Sequence, residues 1–350
     1  MTPPTRSWTT GLGIKAVVTL LLSVLLVSCG SGKKYNEFRP SRILSVGDAM
    51  SYVSLDGTGA AVNLLTSIDP ATSKTDHWLW VYAAGYGLTN IGVYDPADPT
   101  GSIASKNVVF YNNHKTATAP VSGNTSSLGS ITDVRAQVNT LPATPQAGDL
   151  VVLSIGMGDV FALADGLGTT AMNTASRNAA VQLGLDYANL ADNLYQRGFK
   201  HVLIVPAIDY STSPYVATKS ATFKSNLVSL TEALNEGVNV NCNGGCTSTA
   251  DSKPYPTRAE GVWKFNVYDV LRNIALNTPY SYAANVNTNG PLVCLAPTLL
   301  ANCASLNPIN TLYDANGRPY YYSGDLFMTP ILHRYAGNYL FSFSTGYTGF

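Results

Sequence analysis

Four short runs rich in β-branched residues, Arg42–Gly47, Leu150–Gly156, Lys200–Ile208 and Val262–Tyr268, punctuate the chain, and helical patterns separate the last three. Between Ala171 and Gly198 the apolar residues Val181, Leu183, Leu185, Leu190, Ala191 and Leu194 follow a helical period, with Gly198 as a stop after Arg197. Phe223, Leu227, Leu230 and Leu234 form a second stripe, and Thr329-Pro330 is a cap and first-turn pair for a last helix over Ile331–Phe341. Strands alternating with helices predict an α/β fold: a mostly parallel central sheet between two helical layers. Asp95–Ser130, rich in Asn, Thr, Ser and Gly, has no clear period and is expected to be a long insertion near the top of the sheet. Tyr339, Phe341 and Phe343 alternate as in a β-barrel strand, but a barrel needs many such strands and this is one.

The first 28 residues read as an export signal. Arg6 and Lys15 supply its positive region, and Ala16–Val27 is an apolar run short for a bilayer span. Leu26-Val27-Ser28-Cys29 resembles the bacterial lipobox, which implies acylation of Cys29 and a lipid-anchored protein of the cell envelope, with Gly30 pointing to the outer membrane. An ordinary cleaved signal or a short membrane anchor is the competing reading. Residues 29–41 form a polar tether and 42–345 a single domain. Charged residues are 12% of the chain and balance to zero, so clustered Lys and Arg for nucleic acid are missing.

Of five cysteines, Cys29 is assigned to the anchor, and the remaining four suit an oxidising compartment. Three pairings are possible. The local ones, Cys242–Cys246 and Cys294–Cys303, are preferred because each brackets a loop-like segment. No His lies near either pair and the spacings fit no common zinc pattern, so no metal or other cofactor is expected.

Ile43–Ser51, ILSVGDAMS, resembles the first block of the SGNH/GDSL esterases and lipases, which reads Gly-Asp-Ser-Leu-Ser. Later segments follow in family order. His77-Trp78-Leu79-Trp80 with Gly85–Thr89 is similar to a strand-edge Trp pattern, and Leu153–Phe161, LSIGMGDVF, to Gly-x-Asn-Asp. Val205-Pro206 and Phe265–Tyr282 resemble a late strand and helix, and Gly324–His333 resembles Asp-x-x-His-x-Thr-Pro. The resemblance spans about residues 42–345 and implies a three-layer, flavodoxin-like α/β/α sandwich.

Through that resemblance the chemical positions are empty. Ala49 stands at the nucleophile, and a methyl group cannot attack a carbonyl. Gly158 replaces the oxyanion Asn, Phe327 the His and Gly324 the Asp, and none can donate, take or orient a proton. The second-block oxyanion glycine should fall near Tyr111–Lys115, YNNHK, where no Gly is present. Gly47, Asp48, Gly156, Asp159, Thr329 and Pro330, which shape turns and caps, are all kept. Scaffold kept and chemistry emptied describe a pseudoenzyme with a residual cleft for an acyl, glycan or envelope-protein ligand, to which Tyr320-Tyr321-Tyr322 offers aromatic faces.

Two alternatives stay open. An active carboxylic-ester hydrolase would have to relocate its chemistry, drawing on Ser51, Asp48, Asp159, Asp325, His114 or His333, whereas Ser51 reads better as a capping residue and His333 as a packed one. His77 and His201 have no partners at ligand-like spacing, and His114 alone is aligned near the old site. The other alternative is a purely structural envelope lipoprotein.

Overall fold

The computed structural model describes residues 38–55, 61–62, 77–101, 103–112, 128–241, 253–254, 261–265, 267–268, 271, 322, 326, 328 and 330–346. The chain divides into two compact units, Arg39–Ser344 and a smaller one of Met1–Phe38 with Thr345–Phe350. The larger contains a six-stranded, all-parallel sheet. Its strands are β1 (Arg42–Gly47), β2 (Ile91–Val93), β3 (Val108–Phe110), β4 (Asp149–Ser154), β5 (Val202–Val205) and β6 (Val262–Lys264), in the order β6-β5-β4-β1-β3-β2. Seven helices are described: α1 (Trp78–Gly85), α2 (Ile131–Thr140), α3 (Met157–Leu167), α4 (Thr174–Gln196), α5 (Pro214–Ala217), α6 (Ala221–Asn239) and α7 (Pro330–Gly346).

The central strands are apolar along their whole length because both faces are covered: every residue of β3, β4 and β5 is buried. The connection β1–α1–β2 moves one way across the sheet, whereas β3–α2–β4, β4–α4–β5 and β5–α6–β6 move the other. Right-handed crossovers therefore place α1 on one face and α2, α4 and α6 on the opposite face. Helix α7 joins α1: the Trp78 amide donates to His333 Nδ1 at 3.0 Å, and Tyr86 beyond α1 bonds Ser344 near the end of α7 at 2.6 Å. The layers differ in charge. Helices α2, α4 and α6 carry Arg135, Arg177, Asp186, Lys224, Glu232 and Glu236 among their ionised residues, whereas α1 has none and α7 only Arg334.

Three of the anticipated strands are shorter than their apolar runs, because Ile155, Ala207, Ile208 and Phe265 are buried in loops that leave the sheet. The stretch Asp95–Ser130 is not simply an insertion, since it contains β3, which pairs with β1 on one side and β2 on the other. Three consecutive apolar residues buried on both sides leave no alternation to read. The Trp-rich segment is helix α1, capped by His77 Nδ1 on the Leu79 amide at 3.1 Å, rather than a strand edge. Tyr339, Phe341 and Phe343 lie within α7, which runs on to Gly346, so their alternation is not that of a strand.

At the N-terminal end of the sheet, Arg42 grips Asp149 with two hydrogen bonds of 2.7 Å, and the Asp149 side chain is fully buried. The opposite end, where β1 and β4 deliver their last residues, holds the candidate site. Connections from these two neighbours depart to opposite faces, which opens the crevice where ligands of such sheets bind.

Candidate functional site

Asp48 organises this crevice. Its Oδ1 accepts from the Met50 amide and from Ser154 Oγ, both at 3.0 Å, and its Oδ2 accepts from the Met157 amide at 2.8 Å. One carboxylate thus caps the 3-10 turn Ala49–Ser51 and the first turn of α3 together. Burial pushes it up to about 6 against the pull of those three bonds, with a smaller push from Asp159. Gly47 is clamped from α2 by Gln137, whose Oε1 takes the Gly47 amide at 2.8 Å and whose Nε2 donates to the Gly47 carbonyl at 2.9 Å.

Ala49 faces a closed space. It is 2% exposed, and its amide donates to the Leu128 carbonyl at 2.9 Å. The next residue, Gly129, has φ +84°, a conformation suited to glycine, and lies against Asp48. On the other side, a Cβ built on Gly158 would stand 1.8 Å from the Gly129 carbonyl oxygen. The Leu128–Gly129 strap therefore fits only because position 158 has no side chain, and it lies over the turn that carries Ala49. Asp159 steadies the strap from behind, accepting from the Ile131 amide and from the buried Tyr187 hydroxyl.

The remaining polar groups around the turn serve the backbone. Ser51 is fully buried and its Oγ donates to the Asp48 carbonyl at 2.9 Å. Asn112 Nδ2 donates to that same carbonyl and lies 3.3 Å from Ser51 Oγ. His77 Nε2 and Trp78 Nε1 both donate to the Met50 carbonyl, at 3.1 and 2.9 Å. The rings of His77 and His333 lie 5.5 Å apart, both fully buried. Burial drives His77 down to about 3 and His333 well below its ordinary value, so both are neutral. With its Nδ1 accepting from Trp78, His333 carries its proton on Nε2, which has no partner. Among the described residues, His77 and His333 bond backbone groups rather than a hydroxyl, and no group of three His, Cys, Asp or Glu could hold a metal ion.

Beside the turn a cavity of about 30 Å³ opens at the ends of β4, β5 and β6. Ile155, Val205, Ile208, Phe265 and Met328 are among its walls, and Asp48 and Ser154 are its polar ones. Tyr322 lies nearby, its hydroxyl 3.2 Å from Thr212 Oγ1.

The structure thus brings together Gly47, Asp48, Ala49, Ser51, Gly156, Gly158, Asp159 and His333. Pro330 is the first residue of α7. Cys29, His114, Tyr320, Tyr321, Gly324, Asp325, Phe327, Thr329 and Cys242, Cys246, Cys294 and Cys303 lie outside the described residues. Gly129, Asn112, Gln137 and the cap formed by His77 escaped the sequence reading. Gly129 had a signal: it immediately precedes Ser130-x-x-Asp133, a capping box that starts α2. Scans of protein-family models and of curated proteins return no match to this chain.

Proposed function

We propose that this is a lipid-anchored envelope protein of SGNH/GDSL type that has given up ester hydrolysis and retains a binding or docking role. Setting aside edge strand β2, the strands run β3-β1-β4-β5-β6, the flavodoxin-like order that such a fold requires. The observation that carries the reading is the closure over Ala49. A serine hydrolase needs a hydroxyl, a base within reach and open donors for the oxyanion, whereas here the residue-49 amide is engaged by Leu128 and the Gly129 carbonyl fills the space beside position 158. Gly129 is the glycine at this turn, so we assign the second-block position to it rather than to 111–115.

The neighbouring cavity of about 30 Å³ has room for a water or two rather than for an acyl chain or a sugar. Loss of triad groups in serine hydrolases costs about 10⁴- to 10⁶-fold in rate. A fluorophosphonate probe and p-nitrophenyl butyrate, applied to the purified protein and to Ala49→Ser, test the reading. No labelling and no hydrolysis above background is the expected result. Labelling of the unsubstituted protein that Ser51→Ala abolishes would establish relocated catalysis instead.

A further inference from the structure

The outward side of α7 is built unlike a solvent face. Tyr335 and Tyr339 are 39% and 38% exposed, the large hydrophobic side chains that stand out among the described residues. They are one turn apart with stacked rings, centroids 6.2 Å and planes 19° apart, and Tyr339 also leans on Phe265 at 5.7 Å. Asn338 and Ser342 share the exposed side, and no charged residue follows Arg334 in the chain. Soluble surfaces carry about a quarter to a third charged residues, as the opposite helical layer does. Uncharged faces with tyrosine rings instead suit the headgroup region of a membrane, where an apolar ring and a polar tip each find their medium.

The position of this face relative to the chain start completes the argument. Helix α7 begins near the crevice, where His333 meets Trp78, and ends where Ser344 meets Tyr86, just ahead of the first residue of β2. Ile91 pairs with Val108 and Val108 with Ile43, so α7 ends at the same end of the sheet at which β1 begins. Arg39 lies ten positions after Cys29, a reach of at most about 35 Å when extended. A lipid on Cys29 would keep the domain within that reach of the bilayer.

We propose that Tyr335, Asn338, Tyr339 and Ser342 lie in the headgroup layer of the membrane that holds the anchor, which lays α7 along the lipid surface. The inference rests on the lipoprotein reading. The test uses full-length lipidated protein on phosphatidylcholine vesicles, with an NBD fluorophore on Asn338→Cys, the same label on exposed Asn193→Cys of α4, and identically treated unsubstituted protein as background.

Doxyl-lipid quenching and a blue shift at 338 with neither at 193 is the expected result, and Tyr335→Glu with Tyr339→Glu should remove the quenching while the protein still pellets with vesicles. Pelleting without quenching at 338, or equal quenching at both sites, overturns the proposal and leaves the anchor standing. Failure to pellet overturns the anchor and the proposal with it. Self-quenching at 338 that fades as protein is diluted in lipid assigns the face to a second copy. Should the double Glu variant fail to fold, the comparison of 338 with 193 still decides.

Discussion

Adding one methyl group at Gly158 should reveal whether the strap over Ala49 is as rigid as it looks. The new Cβ would lie 1.8 Å from the Gly129 carbonyl oxygen and 2.6 Å from its carbon. Restoring ordinary contact moves this backbone by about 1.5 Å, enough to break the 2.9 Å bond from the Ala49 amide to Leu128 and to disturb the Ile131–Asp159 contact. Overpacking costs about 1–3 kcal/mol and a buried amide without an acceptor about 1–3 kcal/mol more. Replacing glycine in a helix returns up to about 1 kcal/mol. Gly158→Ala should therefore lose about 2–4 kcal/mol in urea unfolding followed by circular dichroism.

Gly166→Ala is the internal control: it lies in the same helix, nothing stands within 4 Å of its would-be Cβ, and it should gain about 0.5–1 kcal/mol. If Gly158→Ala proves as stable as the unsubstituted protein, the strap yields and the closed-site argument fails. The same steric conflict meets Asn, so rebuilding the site with Ala49→Ser, Gly158→Asn, Gly324→Asp and Phe327→His should cost stability before it yields any turnover.

Acid should weaken the fold through its buried histidines. His77, held at about 3, stabilises the fold above its unfolded value of 6.5 and loses that as pH falls, at about 1.4 kcal/mol per pH unit, and His333 acts in the same direction. Asp48, raised to about 6, has the opposite sign: its contribution is present below 3.8 and lost as pH rises through 6, so it offsets one histidine between pH 6 and 4. His77→Asn keeps a capping side chain and should flatten the fall in urea midpoint over that window; an unchanged slope would remove His77 from the account. Arg42→Met leaves Asp149 buried without its cation and should cost about 3 kcal/mol in thermal or urea unfolding, with Arg42→Met/Asp149→Leu recovering most of it. Non-reducing peptide mapping should find Cys242–Cys246 and Cys294–Cys303, and free thiols or crossed pairs would show the loops to be arranged otherwise.

The parallel layout was legible because β1, β4 and β5 are long or uniformly apolar enough to stand out, and because the stripes of α4 and α6 keep a helical period over many turns. Of the three three-residue strands, β2 and β3 were not, since a short strand inside a covered sheet leaves no periodic mark. At the site, Gly47-Asp48 and Gly156–Asp159 were readable from their motif, and their contacts with Ser154, Met50 and Ile131 account for their residue types. The closure was not readable. It depends on Gly129 and Gly158, distant in sequence, meeting backbone to backbone, and no property of either residue alone announces the other. Asn112 and His77 were hidden for a related reason: each satisfies a carbonyl of the Asp48–Ser51 turn, a role that many polar residues could fill.

The shared cap at Asp48 has a consequence for how this region opens. Because one side chain holds the Met50 and Met157 amides, fraying of the 49–51 turn removes the cap of α3, and unwinding of α3 frees the turn. Two segments more than a hundred residues apart should then form one cooperative unit, exchanging their amide hydrogens with a common opening free energy rather than as a mobile loop and a separate helix end. A three-residue turn just past the end of a strand would in this way inherit the slow exchange of the sheet interior.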